Sequence, residues 1–197
     1  MQSHVTECGL SGVGSIAYGL HMCHFYRGRE DLVAALVPYF AAGLRNNERC
    51  IWITAEPLSS AGAKLALRDA YVDVDGAIAR GALIVRDYAE WYVQDGEAKG
   101  GDVADLWLAE EQRALKDGYS GLRITGNTSF LTHETWRGFM DYEALINKAF
   151  LGRRIVTLCS YSHERCGALQ VAEVLRNHTC SVTRPNGGWR ITTTYPA

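Results

Sequence analysis

His21-Met22-Cys23-His24 packs two imidazoles and a thiol into four residues, the densest supply of chemistry-bearing side chains in this chain. Imidazole nitrogen and thiolate sulfur are the donors that zinc and haem iron accept. In a β-strand side chains alternate, so His21 and Cys23 share one face while Met22 and His24 turn to the other. Three ligands for one ion would need a broken strand, or donors from elsewhere such as Cys8 or Cys159. The haem-attachment pattern C-x-x-C-H is missing. A metal- or haem-dependent sensor using His21, Cys23 and His24 is the alternative this run offers. Against it stand buried histidines with local hydrogen-bond partners, or a histidine in a ligand pocket.

Other chemistry is thinly supported. Cys159 with His163 and Glu164 could be drawn as a thiol and its base, but Cys159 lies in an apolar run where a structural cysteine is expected. No G-x-S-x-G elbow is present. A phosphate-binding loop needs glycine-rich amides followed by Lys and Ser or Thr directly after a strand. Here the strand at residues 19–26 runs into Arg27-Gly28-Arg29-Glu30-Asp31, with one glycine, no lysine and two acids. Nucleotide hydrolysis and dinucleotide binding are not expected.

The elements that must position these residues alternate. Strands are expected at 19–26, 50–55, 82–85, 122–126 and 154–161, because each is a short apolar run bounded by turn residues. Helices are expected from Asp31 to about Leu44, from Ser60 to Ala70, from Asp102 to Lys116, from His133 to Phe150 and from Glu164 to Arg176. Pro185-Asn186-Gly187-Gly188 marks a hairpin within residues 179–194. Five strand–helix alternations predict an α/β fold: a three-layer, mostly parallel sheet of about five strands flanked by helices, with a C-terminal β-hairpin. Residues 1–18 read as an N-terminal extension and 19–197 as one domain.

The 197 residues carry 20 basic and 22 acidic side chains, a net charge of −2 that gives phosphate backbones nothing to bind. No stretch approaches the roughly 20 apolar residues of a membrane span, and the N-terminus lacks a signal-peptide pattern. The six cysteines are scattered without a C-x-x-C pair. A cytoplasmic chain with reduced, buried cysteines is expected, with no nucleic-acid or membrane partner and with room for a homo-oligomer.

Ligands of parallel sheets bind at the carboxyl ends of the strands. That rule, with the aromatic segment from Asp87 to Tyr92, nominates a pocket from His21, Cys23, Tyr26, Glu56, Tyr88, Trp91, Asn127 and Tyr161. Tyr and Trp walls with a few polar groups suit a small, weakly polar molecule. Trp91 and Tyr92 are expected in an exposed segment, with Trp52 and Trp107 in the core. Tyr88 to Gly101, softened by Gly96, Gly100 and Gly101, is expected to change its order on binding.

Many short motifs in order resemble the MEDS family, the sensory domains of methanogens and methylotrophs typified by the regulator of dichloromethane dehalogenase. They are His21-Met22-Cys23-His24-Phe25-Tyr26, Leu36-Val37-Pro38-Tyr39-Phe40, Asn47-Glu48-Arg49-Cys50, Trp52-Ile53-Thr54-Ala55-Glu56-Pro57, Gly126-Asn127, Trp136, Tyr142-Glu143, Leu158-Cys159-Ser160-Tyr161, His178, and Asn186-Gly187 to Trp189. The resemblance implies a RecA/KaiC-like fold without its phosphate loop. Thr125-Gly126 falls where the magnesium-binding acid of those ATPases would lie. It also implies a non-catalytic sensor of one-carbon or hydrocarbon derivatives, signalling to a transcription regulator or histidine kinase. The first 18 residues are too few for a helix-turn-helix, so action through a partner protein is expected rather than direct operator binding.

Overall fold

The structure, a computed structural model, describes residues 4–94, 97–98 and 103–194. An N-terminal hairpin, β1 (Val5–Glu7) and β2 (Ser15–Ala17), leads into β3 (His21–Tyr26) and α1 (Arg29–Arg45). β4 (Arg49–Thr54), α2 (Ser60–Asp69), α3 (Val74–Ala79), β5 (Leu83–Asp87) and the short α4 (Tyr88–Tyr92) follow. A two-stranded ribbon, β6 (Val93–Gln94) with β7 (Glu97–Ala98), precedes α5 (Val103–Lys116), β8 (Leu122–Asn127), α6 (His133–Ala149) and β9 (Ile155–Ser162). The chain closes with α7 (Ala168–Asn177), β10 (Cys180–Thr183) and β11 (Arg190–Thr193).

Seven strands form one sheet in the order β11-β10-β3-β9-β8-β4-β5. Every pairing is parallel except β10 with β11. The C-terminal hairpin is thus part of the sheet, which widens the expected five strands to seven. Cys180–Thr183 joins because its register sets Ser181 opposite Cys23, giving β3 a second parallel neighbour. α7 begins at Ala168 rather than Glu164, with Gly167 at its N-cap and no side-chain cap bond.

The strands are buried on both faces. Met22, Tyr26, Trp52, Val156 and Leu158 meet Leu36 and Phe40 of α1 on one face. Ile51, Ile53 and Ile124 meet Trp107 and Phe150 on the other, where Cys23, Cys159 and Tyr161 also pack against Met140 and Val174. At about 25 cal/mol per Å² of apolar surface, such a two-sided sheet is the main source of stability.

Residues 4–18 are tied into this core. Cys8, Leu10 and Ile16 are buried. The fully buried Arg123 guanidinium donates to Glu7 and Cys8 carbonyls at 2.7 and 3.0 Å, to Tyr39 O at 2.9 Å and to Glu48 Oε2 at 2.5 Å. Gly9 takes φ +91° against α1, where a Cβ would stand 2.2 Å from Pro38 O. Gly43 has no Cβ because Arg123 Cδ would lie 2.6 Å from it.

Candidate functional site

The pleat of β3 sends His21 and Cys23 to the face covered by α6 and α7, and sends Met22 and His24 toward α1. β3 is unbroken. His24 therefore meets Trp189 edge-on, ring centroids 5.6 Å apart, on the far side from His21. The trio His21, Cys23 and His24 does not converge on one point, which corrects that ligand set.

His21 converges on other residues. In register beside β3, β9 contributes Thr157, Cys159 and Tyr161 to the same face. α6 contributes Glu143, a carboxylate on an otherwise apolar stripe with Met140 and Ile146, and the turn after α7 contributes His178. His21 Nε2 lies 2.9 Å from Glu143 Oε2 and 3.5 Å from Cys159 Sγ. His178 Nε2 lies 3.4 Å from the same Glu143 oxygen. The two imidazoles are 4.0 Å apart between centroids. All four residues are buried.

The electrostatics follow from burial. Desolvation pushes the Glu143 carboxyl upward, but the hydrogen bond from His21 and the electrostatic pull of the His178 and His21 imidazoles outweigh it, so the group stays below its ordinary range. Burial, then His21, pull His178 down to about 3, leaving it neutral. His178 Nδ1 is 2.7 Å from Val174 O, a carbonyl that only accepts, so Nδ1 carries the proton and Nε2 presents a lone pair. Burial, and next the Glu143 charge, push the Cys159 thiol and the Tyr161 hydroxyl well above their ordinary values.

Next to this cluster lies a cavity of about 20 Å³ between β8, β9 and α6, at the carboxyl end of β8. Glu143, Cys159 and Thr157 form one wall, Trp107, Phe130, Phe139 and Phe150 the others, and residues 124–128 the rim. Twenty cubic ångströms hold about one water-sized group, so a larger guest must displace aromatic side chains. The Thr157 hydroxyl is buried at the cavity without a hydrogen-bond partner.

The nominated residues divide. His21, Cys23 and Tyr161 belong to the buried cluster and Asn127 to the cavity rim. Tyr88 stacks on Phe130 at 4.4 Å, and Trp91 stacks on Trp107 at 5.2 Å, each one layer behind the cavity wall. Trp91 is buried rather than exposed, because α4 turns it inward onto α5. Tyr26 lies on the α1 face, donating to Asn127 Oδ1 at 3.1 Å. Glu56 is exposed and reaches the site through its carbonyl, which Asn127 Nδ2 approaches at 3.5 Å. Gly96, Gly100 and Gly101 lie outside the described residues. Glu143 and His178 were not singled out as site residues, although a carboxylate on the core stripe of a helix was a readable signal.

At the turn after β3, where a nucleotide cradle would sit, the Arg27 amide donates to Asp31 Oδ2 at 2.9 Å. Thr125 spends its hydroxyl on Leu158 O. Residues 20–179, most of the chain, match the profile of MEDS, the MEthanogen/methylotroph, DcmR Sensory domain.

The chain belongs to the MEDS family.

Among solved structures, this MEDS domain is similar to the flagellar accessory protein FlaH from Methanocaldococcus jannaschii, with TM-score 0.60 and 12% identity, covering 91% of this chain and 80% of that one. It is also similar to the KaiC-like protein PH0186 from Pyrococcus horikoshii OT3, with TM-score 0.59 and 13% identity, covering 96% and 88%. These likenesses show the RecA/KaiC-like fold. No curated protein sequence matches the chain. No helix among the described residues is long and apolar enough to cross a membrane.

Proposed function

We propose that this MEDS domain is a non-catalytic sensor that binds a small, weakly polar organic molecule, a one-carbon or hydrocarbon derivative, in the cavity beside β8. It passes the bound state to a protein partner, a transcription regulator or histidine kinase. The observation that carries this reading is the cavity itself: aromatic on most sides, polar at Asn127 and Thr157, and about 20 Å³ in volume. Dispersion against Trp107, Phe130 and Phe139 favours compact apolar guests, and the Thr157 hydroxyl supplies one anchor. The size limit selects against anything approaching a nucleotide.

The test is a thermal-shift titration with dichloromethane, methanol, methylamine, acetone and MgATP. A saturable rise in Tm with a one- to three-carbon compound and none with MgATP is the expected result. Stabilisation by MgATP alone would replace this reading with a nucleotide switch. The nucleotide alternative has little support, because the Arg27 amide already faces a carboxylate.

A further inference from the structure

We propose that His21, His178, Glu143 and Cys159 form a binding site for one divalent transition ion of the zinc class. The ligating atoms are the two Nε2 nitrogens, Glu143 Oε2 and Cys159 Sγ, and these lie within 4.8 Å of one another. A tetrahedral ion with bonds of about 2.0 Å to N and O and about 2.3 Å to S sets its ligands roughly 3.3 to 3.5 Å apart. The observed separations of 2.9, 3.4 and 3.5 Å already sit around those edges. The remaining separations, none above 4.8 Å, need to close by about 1 Å at most.

The hydrogen-bond accounting points the same way. Val174 O holds the His178 proton on Nδ1, so His178 Nε2 and the carboxylate oxygen are two acceptors facing each other at 3.4 Å. His21 Nε2 already meets that carboxylate oxygen at 2.9 Å, but the fully enclosed His178 Nε2 has no hydrogen-bond partner. Two opposed buried lone pairs are costly unless something positive lies between them. A cation satisfies both at once. The Val174 bond is also the outer-shell device that fixes a ligating imidazole in its tautomer. The donor set of two imidazoles, a thiolate and a carboxylate suits zinc and excludes calcium or magnesium, which take oxygen ligands. Cys159 ligates as thiolate and His21 through a bare Nε2, so the thiol proton leaves to the buffer and the His21 Nε2 proton moves to Nδ1 or leaves with it.

The site stands on its own geometry and does not need the organic guest. The experiment is Co²⁺ titration of the full chain, purified without a histidine tag and stripped with chelator, read by visible and near-ultraviolet absorption. The expected result is saturation at one ion per chain, with tetrahedral d–d bands and a thiolate charge-transfer band that Cys159→Ser removes. His178→Gln should weaken binding by more than the ~10–100-fold that loss of an outer-shell partner costs. If Cys159→Ser fails to fold, proton release on binding and a chelator-dependent fall in wild-type Tm give the same reading. A folded wild-type chain that binds no Co²⁺ or Zn²⁺ overturns the site, whatever organic compounds it binds. One that binds Co²⁺ but no organic compound leaves the site intact and removes the guest.

Discussion

Trp91 lies stacked on Trp107, ring centroids 5.2 Å apart and planes 21° from parallel, and Trp107 in turn lines the cavity. The Trp107 indole donates to Tyr142 OH at 2.9 Å, which fixes the ring against α6. A guest that enters must press on Trp107 and so alter the coupling of the pair. Intrinsic fluorescence and near-ultraviolet circular dichroism should therefore change on saturation with a stabilising one-carbon compound. Trp107→Phe should remove most of that change, and Trp91→Phe should reduce it. A change that survives Trp107→Phe undiminished would place the guest elsewhere.

Thr157 separates the cost of an unmade hydrogen bond from its use. Its buried hydroxyl has no partner, so Thr157→Val should leave the guest-free chain as stable or up to about 1 kcal/mol more stable in urea unfolding. The same change should weaken methanol or acetone by about tenfold, the equivalent of one modest hydrogen bond, while dichloromethane is nearly unaffected. Equal loss for both kinds of compound would mean that Thr157 does not touch the guest.

Arg123 and Glu48 should behave as a unit. Either Arg123→Met or Glu48→Gln leaves the other partner buried without its charge complement, and each is expected to cost about 3–5 kcal/mol by denaturant unfolding. The double variant should cost less than the sum of the two, by about 1–3 kcal/mol. Arg123→Met should also loosen residues 4–18, because the Glu7 and Cys8 carbonyls and the Thr6 hydroxyl lose their hydrogen bonds from the guanidinium; faster amide exchange there is the readout. Strict additivity would count against the pair.

His24 makes the chain acid-sensitive. Burial pulls its imidazole from 6.5 down to about 4, with Asp31 acting weakly in the opposite direction. Between those values the unfolded chain binds a proton that the folded chain does not, so stability falls as pH drops from about 6.5 to 4 and then levels. The full contribution is about 3 kcal/mol. The buried His178 acts in the same sense, so the measure is the difference between wild type and His24→Gln in urea midpoint across that range. A constant difference would mean that folding leaves the His24 pKa where it is in the unfolded chain.

Much of the fold was legible because the strands are buried on both faces and read as unbroken apolar runs. Cys50 to Thr54 and Ile155 to Tyr161 needed no periodicity to be found. β10 and β11 were visible as short β-like runs, but their joining of the main sheet depends on pairing across more than 150 residues, which local pattern does not encode. The buried position of Trp91 was hidden for the same reason: its partner Trp107 is on a different helix. Alternation along β3 sufficed to separate His24 from His21. Finding Glu143 and His178 opposite His21 required knowing that α6 and the end of α7 cross the same strand.

Asn127 has a role beyond holding the rim of the cavity. Its amide donates to Ala55 O at 3.2 Å, while its oxygen accepts from the Tyr26 hydroxyl at 3.1 Å and the Ser129 amide at 3.0 Å. One side chain thus lashes together the ends of three parallel strands and the loop that follows β8. Strain that a guest placed on that loop would therefore bear directly on the exposed Glu56 turn, whose carbonyl Asn127 approaches at 3.5 Å. A guest held beside β8 would in this way stand one amide away from the outer surface.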